Sequence, residues 1–357
     1  MDAPQGTVAD EGITAAELRL AARNHALPLE ALRYDITPAG LHYLLIHYDI
    51  PAVDAAVFRL EVAGAVERPL SLTLDELRAR ERVSMPVTFE CAGNGRAFLQ
   101  PRPLSQPWLT EAVGTAEWGG TPLAPLLDEA GVRPGAIEAL FTGLDNGVEG
   151  GTRQAYERSL PLPDARDALL VYEMNGAPLP PQHGFPLRLV VPGWYGMTNV
   201  KWLARVTLLE EPFEGYQNTV AYRMYGADGE PGDPLTRMLP RSLMVPPGVP
   251  DFMTRERHLD SGSTTLTGRA WSGFGGIDRV EVSADGGATF APAELDEPLG
   301  EAAWRGWRYD WDAQAGEHVL CSRATDAAGN QQPLDAAWNL KGYANNAVER
   351  IPVVVAA

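Results

Sequence analysis

One thiol stands in a glycine-rich segment, V-T-F-E-C-A-G-N-G-R, over residues 87–96. The first residues of the segment favour a β-strand that would deliver Cys91 into a tight turn. Gly93 and Gly95 leave the backbone open to close approach by another group, and Arg96 adds a cation. Two interpretations stand side by side: a thiol with a chemical role, or an ordinary hairpin with an Asn-Gly type I′ turn.

The second thiol and the histidines show no spacing typical of metal ligands. Cys321 lies in a probable strand, E-H-V-L-C, where a buried structural thiol is expected. Two cysteines could form at most one disulfide, and we predict two free thiols in a reducing compartment. His42 and His47 lie five residues apart on a predicted strand at 42–48. They would point to opposite faces, so packing rather than metal ligation is expected.

The elements that must position these residues fall into two regions joined by a linker. Residues 1–215 alternate short strands with short helices, and Thr14 with Glu17 forms a capping-box signature. Residues 216–250 are rich in proline and predict an extended linker packed on the first domain. Residues 251–357 show short strands and hairpin turn signals, typical of an immunoglobulin-like sandwich. The clearest patterns in the first region are strands at 59–64 and 187–193 and a strand leading into a helix at 71–77.

Composition limits the classes of function. The net charge is −18, from 29 basic and 47 acidic residues, which argues against a nucleic-acid partner. No apolar run approaches the length of a membrane helix. The polar, acidic N-terminus lacks the features of a leader, so a cytoplasmic location is expected, or a periplasmic one if a leader has been removed. An anionic substrate would be repelled at long range, so its site would need clustered arginines.

Several motifs, in order along nearly the whole chain, resemble the sulfite oxidase family of molybdenum enzymes. They are R-N-H at 23–25, C-A-G-N-x-R at 91–96, Y-E-M-N-G-x-P-L-P at 172–180, H-G-F-P-x-R at 183–188, V-K-W-L at 200–203 and W-N-L-x-G at 338–342. The resemblance implies an α+β fold, with a mixed α/β molybdopterin-binding domain followed by an all-β, immunoglobulin-like dimerisation domain. It also implies a homodimer.

The same resemblance implies a molybdenum–molybdopterin cofactor with Cys91 as the protein ligand of the metal, and no haem in this chain. A soft thiolate suits a metal already bonded to the sulfur atoms of a pterin. Arginine and lysine suit the pterin phosphate. The implied cofactor-binding residues are Asn24, His25, Cys91, His183, Arg188 and Lys201.

The residues implied at the substrate are Arg96, Arg23, Lys341 and an active-site tyrosine. Tyr222 is the candidate for that tyrosine, with Tyr216 and Tyr225 as alternatives, because the alignment there needs a shift of one residue. Two departures from the family pattern reduce the number of arginines expected around the substrate. Lys341 replaces an arginine of the W-N-L-R-G motif and loses its bidentate geometry. Thr198 stands where animal sulfite oxidases carry another arginine.

The implied activity is oxidation of sulfite or a related small sulfur oxyanion by oxygen-atom transfer at molybdenum. Electrons would pass to an external acceptor, for which a cytochrome and oxygen are candidates. One alternative keeps the cofactor but changes the substrate to a sulfane sulfur, an S-oxide or nitrate. Another, of a different class, is a non-catalytic immunoglobulin-like binding protein, because fold alone does not give function.

Overall fold

The computed structural model describes residues 8–9 and 12–357. The helices are α1 Ala15–Ala21, α2 Leu74–Arg78, α3 Leu123–Ala130 and α4 Leu162–Arg166. Thr14 caps α1: its Oγ1 accepts from the Glu17 backbone N–H at 3.2 Å, while the Glu17 carboxylate accepts from the Thr14 N–H at 2.9 Å. The predicted capping box is therefore confirmed, and Thr73 with Glu76 repeats it at the start of α2.

Strands make up most of the regular structure in the described part of the chain. The first half contains β1 Val8–Ala9, β2 Arg59–Gly64, β3 Leu70–Thr73, β4 Val83–Glu90, β5 Arg102–Pro103, β6 Val113–Pro122, β7 Glu138–Glu149, β8 Thr152–Pro161, β9 Leu169–Met174, β10 Ala177–Pro178, β11 Arg188–Val190 and β12 Leu203–Leu209. The second half contains β13 Arg223–Tyr225, β14 Pro231–Pro234, β15 Arg241–Met244, β16 Val249–Pro250, β17 Arg257–Asp260, β18 Gly262–Trp271, β19 Ile277–Ser283, β20 Ala291–Pro292, β21 Glu294–Leu295, β22 Arg305–Ala313, β23 Gly316–Asp326 and β24 Ile351–Ala356.

Two five-stranded sheets form the first domain. One has the order β3-β2-β12-β7-β8; the other has the order β10-β9-β6-β4, with β11 paired to β9. Buried apolar side chains such as Leu60, Phe141 and Leu170 form a common core. The predictions of strands at 59–64 and of a strand-to-helix step at 71–77 are confirmed. This framework places the end of β4, and with it Cys91, beside the loop that follows β11.

The C-terminal strands form a sandwich of a four-stranded sheet, β15-β18-β22-β21, and a six-stranded sheet, β16-β17-β24-β23-β19-β20. Buried residues of both sheets, including Leu266, Trp307 and Leu320, fill the space between them. Cys321 is buried on β23 and is a free thiol, as predicted. The sandwich begins earlier than the sequence suggested, since β15 and β16 lie inside the predicted linker. Residues 241–244 contain no proline and can therefore pair with β18.

One local prediction around the candidate site is wrong, and one of the two interpretations of the Cys91 segment is excluded. Residues 42–48 form no strand; apart from a single bridge between Leu44 and His25, the segment is irregular. Its backbone is held in part by a side chain, since the Ile46 N–H donates to Asn24 Oδ1 at 2.7 Å. The N-G pair after Cys91 makes no hairpin either: Gly95 adopts φ 84° and starts a short 3-10 turn. Tertiary contacts override the strand propensity of residues 42–48 and the turn signal of Asn94-Gly95.

The segment after β23 returns from the sandwich to the Cys91 loop. The Ala344 N–H donates to Ala92 O at 2.8 Å, and Asn345 Nδ2 donates to Gly95 O at 2.8 Å. This return joins the two domains at the candidate site. None of the helices found among the described residues has the length and apolar character needed to span a membrane.

Candidate active site

Two cavities meet at Cys91. The basic cavity contains His42, His183, Arg188 and Lys201 in its lining. The aromatic cavity is lined in part by Tyr48, Trp108, Arg96 and Tyr343. The residues that line both are Leu45, His47, Cys91 and Tyr222. A group bound at the thiol would therefore be reached from two sides.

Cys91 is held in place by its neighbours in the chain. Its backbone N–H donates to Ala112 O at 2.9 Å. The preceding Glu90 is buried and paired with Arg241 of the sandwich at 2.6 Å. Burial raises the pKa of the Cys91 thiol, while Arg96 opposes the shift. The thiol is thus protonated in the free protein near neutral pH, and coordination to a metal would deprotonate it.

The basic cavity contains buried polar atoms that lack a protein partner. His42 Nε2, His183 Nε2 and Arg188 Nε make no hydrogen bond. The rest of the Arg188 guanidinium is anchored, because Nη1 donates to His183 O at 2.9 Å and Nη2 donates to Asn199 O at 3.2 Å. Buried polar groups are normally satisfied. These atoms therefore fit a polar ligand with several hydrogen-bonding groups.

The electrostatics of the basic cavity favour an anion. Burial, with Arg188 as a nearby positive charge, lowers the pKa of Lys201 to about 7. Burial likewise lowers the pKa of His42 to about 4 and that of Arg188 to about 10. Asp145 is the carboxylate in this lining, and burial raises its own pKa to about 6. Near neutral pH Arg188 is therefore charged, Lys201 is about half protonated and His42 is neutral. A phosphate-bearing group would be stabilised by Arg188 and would favour the protonated form of Lys201.

Lys201 is part of the lining of the basic cavity. Its Nζ donates to Leu45 O at 2.8 Å and to Gln182 O at 3.2 Å. The ammonium also lies 4.6 Å from the centre of the Trp202 ring. These contacts hold the cation toward the cavity, so the structure brings together Cys91, His183, Arg188 and Lys201 as the sequence predicted.

Tyr222 is the tyrosine that lines both cavities. Its side chain is buried, and its hydroxyl oxygen lies 3.5 Å from His47 Nδ1. Tyr216 and Tyr225 line neither cavity, and the Tyr225 hydroxyl donates to Val220 O at 2.9 Å. The geometry therefore selects Tyr222 among the three candidates from the sequence.

Arg96 lies in the aromatic cavity on the other side of Cys91. Its Nε donates to Lys341 O at 2.8 Å and its Nη1 donates to Gln106 O at 2.8 Å. The guanidinium also lies 5.2 Å from the centre of the Tyr343 ring. Among the described residues, no carboxylate forms an ion pair with Arg96, so the charge is available to an anionic substrate.

Lys341 does not line either cavity, contrary to the expectation that it reaches the substrate. Its Nζ donates to Ala221 O at 3.1 Å and also to Val220 O. The ammonium lies 4.1 Å from the centre of the Tyr225 ring. The carbonyls before Tyr222 satisfy the lysine, which therefore supports the turn that carries this tyrosine. Thr198 is likewise buried outside the cavities, with its hydroxyl donating to Met197 Sδ.

The N-terminal motif does not lie where the resemblance implied: Asn24, expected to bind the cofactor, is absent from the lining of the basic cavity. Asn24 lines the aromatic cavity, where its Nδ2 donates to Gln106 Oε1 at 2.9 Å. Arg23 and His25 are exposed and line neither cavity. Arg23 Nη2 donates to the backbone carbonyl of Tyr48 at 2.7 Å, and the guanidinium does not line the aromatic cavity. The predicted substrate and pterin contacts of these two residues are therefore not found.

The sequence interpretation missed His42, His47 and Glu149. His42 was expected to pack, yet its Nε2 is one of the unpartnered atoms of the basic cavity. His47 lines both cavities and lies 2.9 Å from Glu149 Oε2. The nearest sequence signal was the H-Y-L-L-I-H segment, which had been interpreted as a strand. Glu149 carried no local signal, because its partner is 102 residues away.

Comparison with known proteins shows which domain families the chain contains. Residues 47–217 match the family model of the oxidoreductase molybdopterin binding domain, and residues 240–356 match that of the Mo-co oxidoreductase dimerisation domain. The chain thus contains a molybdopterin binding domain of the oxidoreductase class followed by a Mo-co dimerisation domain. More narrowly, the chain belongs to the sulfite oxidase family, as the following relatives show.

Mitochondrial sulfite oxidase of Homo sapiens is 37% identical over 90% of this chain. The chain spans 62% of the length of that protein. Sulfite oxidase of Gallus gallus is 37% identical over 88% of this chain and 72% of its own length. The solved structure of the sulfane dehydrogenase SoxCD from Paracoccus pantotrophus superposes with a TM-score of 0.80 at 29% identity, covering 93% of this chain and 86% of that one. The family and the α+β fold predicted from the sequence are confirmed.

Proposed function

We propose that this protein oxidises sulfite or a related small sulfur oxyanion, with a molybdenum–molybdopterin cofactor and an external electron acceptor. The observation that carries the proposal is the position of Cys91 in the wall between a basic cavity and an aromatic cavity. When bound, the molybdenum centre supplies the oxygen-atom transfer and the two-electron redox chemistry. The protein supplies the ligand, the charge and the enclosure.

The basic cavity is the proposed cofactor side. His183 Nε2, His42 Nε2 and Arg188 Nε are the buried atoms that a pterin could satisfy. Lys201 contributes a cation toward the phosphate, and Cys91 contributes the thiolate ligand. His42 replaces the predicted His25 in this set, because it is His42 that faces the cavity.

The aromatic cavity is the proposed substrate side. Arg96 is anchored by two backbone carbonyls and can therefore hold an oxyanion without a large loss of side-chain freedom. The rings of Trp108, Tyr222 and Tyr343 line the same cavity and restrict the access of water. Tyr222 also reaches the cofactor side, so its hydroxyl is available to donate to an oxygen atom near Cys91.

The decisive experiment is an anaerobic sulfite titration of protein with known molybdenum content, followed by visible absorption. Bleaching of the thiolate-to-molybdenum band at about one sulfite per metal is expected from one site per chain. Cys91→Ser should lose the band and the turnover, whereas the matched control Cys321→Ser should keep both, because Cys321 lies in the sandwich core. A metal-loaded protein that does not respond to sulfite would contradict the proposed substrate.

A second candidate function uses the same cofactor with a sulfane sulfur, an S-oxide or nitrate. It is favoured by the modest charge of the aromatic cavity, in which Arg96 is accompanied by the carboxylate of Glu149. Steady-state kcat/KM of the wild-type holoenzyme for thiosulfate, a sulfoxide and nitrate, compared with that for sulfite, tests this candidate. A kcat/KM that is highest for sulfite would contradict it.

We also propose a homodimer formed through the C-terminal domain. The dimerisation-domain match supports it, and so do Phe252 and Met253, which are 83% and 81% exposed on that domain. Exposed apolar side chains of this size are typical of interaction surfaces. Sedimentation should give a dimer at micromolar concentration, and Phe252→Ser with Met253→Ser should weaken it. A monomeric wild-type protein would contradict the proposal.

A further inference from the structure

His47 and Glu149 form a linked pair beside Cys91. His47 Nε2 lies 2.9 Å from Glu149 Oε2, and the same oxygen accepts from Tyr48 Oη at 2.9 Å and from Gln217 Nε2 at 2.8 Å. The other imidazole nitrogen, Nδ1, lies 3.5 Å from the Tyr222 hydroxyl. A continuous series of polar groups thus runs from the tyrosine through the imidazole to a carboxylate.

The carboxylate of this pair is ionised under ordinary conditions. Burial by itself would raise the pKa of Glu149, but its bonds with His47, Gln217 and Tyr48 lower that pKa to about 2. A fixed carboxylate beside an imidazole orients the ring and stabilises the imidazolium that forms when the ring takes up a proton. The pair therefore holds the imidazole with Nδ1 toward the Tyr222 hydroxyl.

The surroundings of the pair connect it to both cavities. The rings of Tyr48 and Tyr156 lie 4.5 Å and 4.9 Å from the imidazole, centre to centre, and Tyr222 lies beyond them at 6.4 Å. The charged groups nearby are Arg96, Asp145, Arg158, Lys201 and Lys341, and other titratable groups are Cys91, Tyr216 and Tyr343. The His47 side chain is 22% exposed, which leaves an exit toward solvent.

We propose that His47 is the proton acceptor of this site and that Glu149 is the positioning residue that holds it in that role. The inference rests on the proposed function. Oxidation of sulfite balances as SO₃²⁻ plus H₂O giving SO₄²⁻, two protons and two electrons. The two electrons go to the external acceptor, and both protons leave for solvent. His47 lines both cavities and takes one of these protons before releasing it to solvent.

The first test is independent of turnover. Protein labelled with ¹³C at the glutamate carboxyl carbons is titrated by NMR between about pH 5 and pH 9, and the Glu149→Gln variant assigns the resonance. In the wild-type protein Glu149 should stay ionised over the whole range. In His47→Gln the effect of burial should dominate, and the Glu149 resonance should titrate within the range. An unchanged Glu149 resonance in His47→Gln would overturn the pairing.

The second test uses sulfite with ferricyanide as the one-electron acceptor. His47→Gln should lower kcat by about 10²- to 10⁴-fold, the usual contribution of a positioned base. Glu149→Gln should lower kcat with little change in KM and should change the pH profile. The control is Glu157→Gln: this glutamate accepts from Thr142 Oγ1 at 2.8 Å and lines neither cavity, so kcat should not change.

The two hypotheses fail in different ways. If the wild-type holoenzyme does not oxidise sulfite, the proposed function is wrong, and the NMR titration alone decides whether His47 and Glu149 act as a pair. If the wild-type enzyme oxidises sulfite but both variants keep its kcat and pH profile, the proton-acceptor role is wrong while the proposed function stands.

Discussion

Glu90 and Arg241 form a buried ion pair between the two domains, with Arg241 Nη1 2.6 Å from Glu90 Oε1. The second carboxylate oxygen of Glu90 accepts from Trp271 Nε1 at 2.9 Å, and Oε1 also accepts from Asn94 Nδ2 at 3.0 Å. Because Glu90 directly precedes Cys91, residues of the sandwich help to hold the loop that carries the thiol. The dimerisation domain is thus part of the support of the active site.

Breaking this pair should damage both stability and cofactor binding. Arg241→Met leaves Glu90 as an uncompensated buried charge, and loss of one partner of such a pair typically costs about 3–5 kcal/mol. Denaturant unfolding should show that loss, together with reduced molybdenum per chain. The matched control is Arg237→Met, since the Arg237–Asp164 pair is partly exposed and should cost about 1 kcal/mol or less. Equal losses in the two variants would contradict the role given to Glu90.

Arg188 should be needed to retain the cofactor rather than to fold the chain. Its unpartnered Nε faces the basic cavity, while its other nitrogens donate to His183 O and Asn199 O. Arg188→Met should therefore reduce molybdenum and pterin content severalfold while the far-UV spectrum is kept. Arg153→Met, at an exposed position of β8, is the control for the loss of one arginine. Full cofactor occupancy in Arg188→Met would show that the cavity binds something else.

Lys341 should affect turnover indirectly, by holding Tyr222 in position. Replacing it with methionine removes the donors to Val220 O and Ala221 O and leaves the turn before Tyr222 unsupported. We expect kcat to fall by about tenfold or more, as misplacement of an active-site group usually causes. Tyr222→Phe should cause a comparable loss, and the double variant should be little worse than either single variant. Multiplicative losses in steady-state kinetics would mean that the two residues act independently.

Stability should depend on the ionisation of Glu349 near the interface of the domains. Burial raises the pKa of Glu349 to about 7, and Thr110 Oγ1 donates to its Oε1 at 2.7 Å. The folded protein therefore holds this proton more tightly than the unfolded chain does. The contribution is complete below the ordinary glutamate pKa of about 4.3 and is lost as the pH rises through about 7.

Chemical unfolding of the wild-type protein and of Glu349→Gln at several pH values checks this prediction. The variant should show a smaller decline in unfolding free energy over that interval, because the amide mimics the protonated acid and does not ionise. Identical pH profiles for the two proteins would rule out Glu349 as the source of the decline.

Much of the molecule could be predicted from local sequence. Thr14 with Glu17 marks the start of α1, and the run before Cys91 marks the end of β4, because capping and strand propensity act over a few residues. The cluster of Cys91, His183, Arg188 and Lys201 followed from family motifs that are short and local. Asn24 lines the aromatic cavity rather than the basic one, and Arg23 and His25 line neither, because a local motif does not show which side chain faces a cavity.

The sequence by itself determined the family, the α+β fold and the residues most suited to the cofactor, since these depend on residue types within short segments. Only the tertiary structure decided that His47 meets Glu149 across 102 residues and that Lys341 turns to the carbonyls before Tyr222. The same holds for Glu90 and Arg241, which lie 151 residues apart. Long-range pairs of this kind depend on how sheets and returning segments pack, and packing has no local signature in the chain.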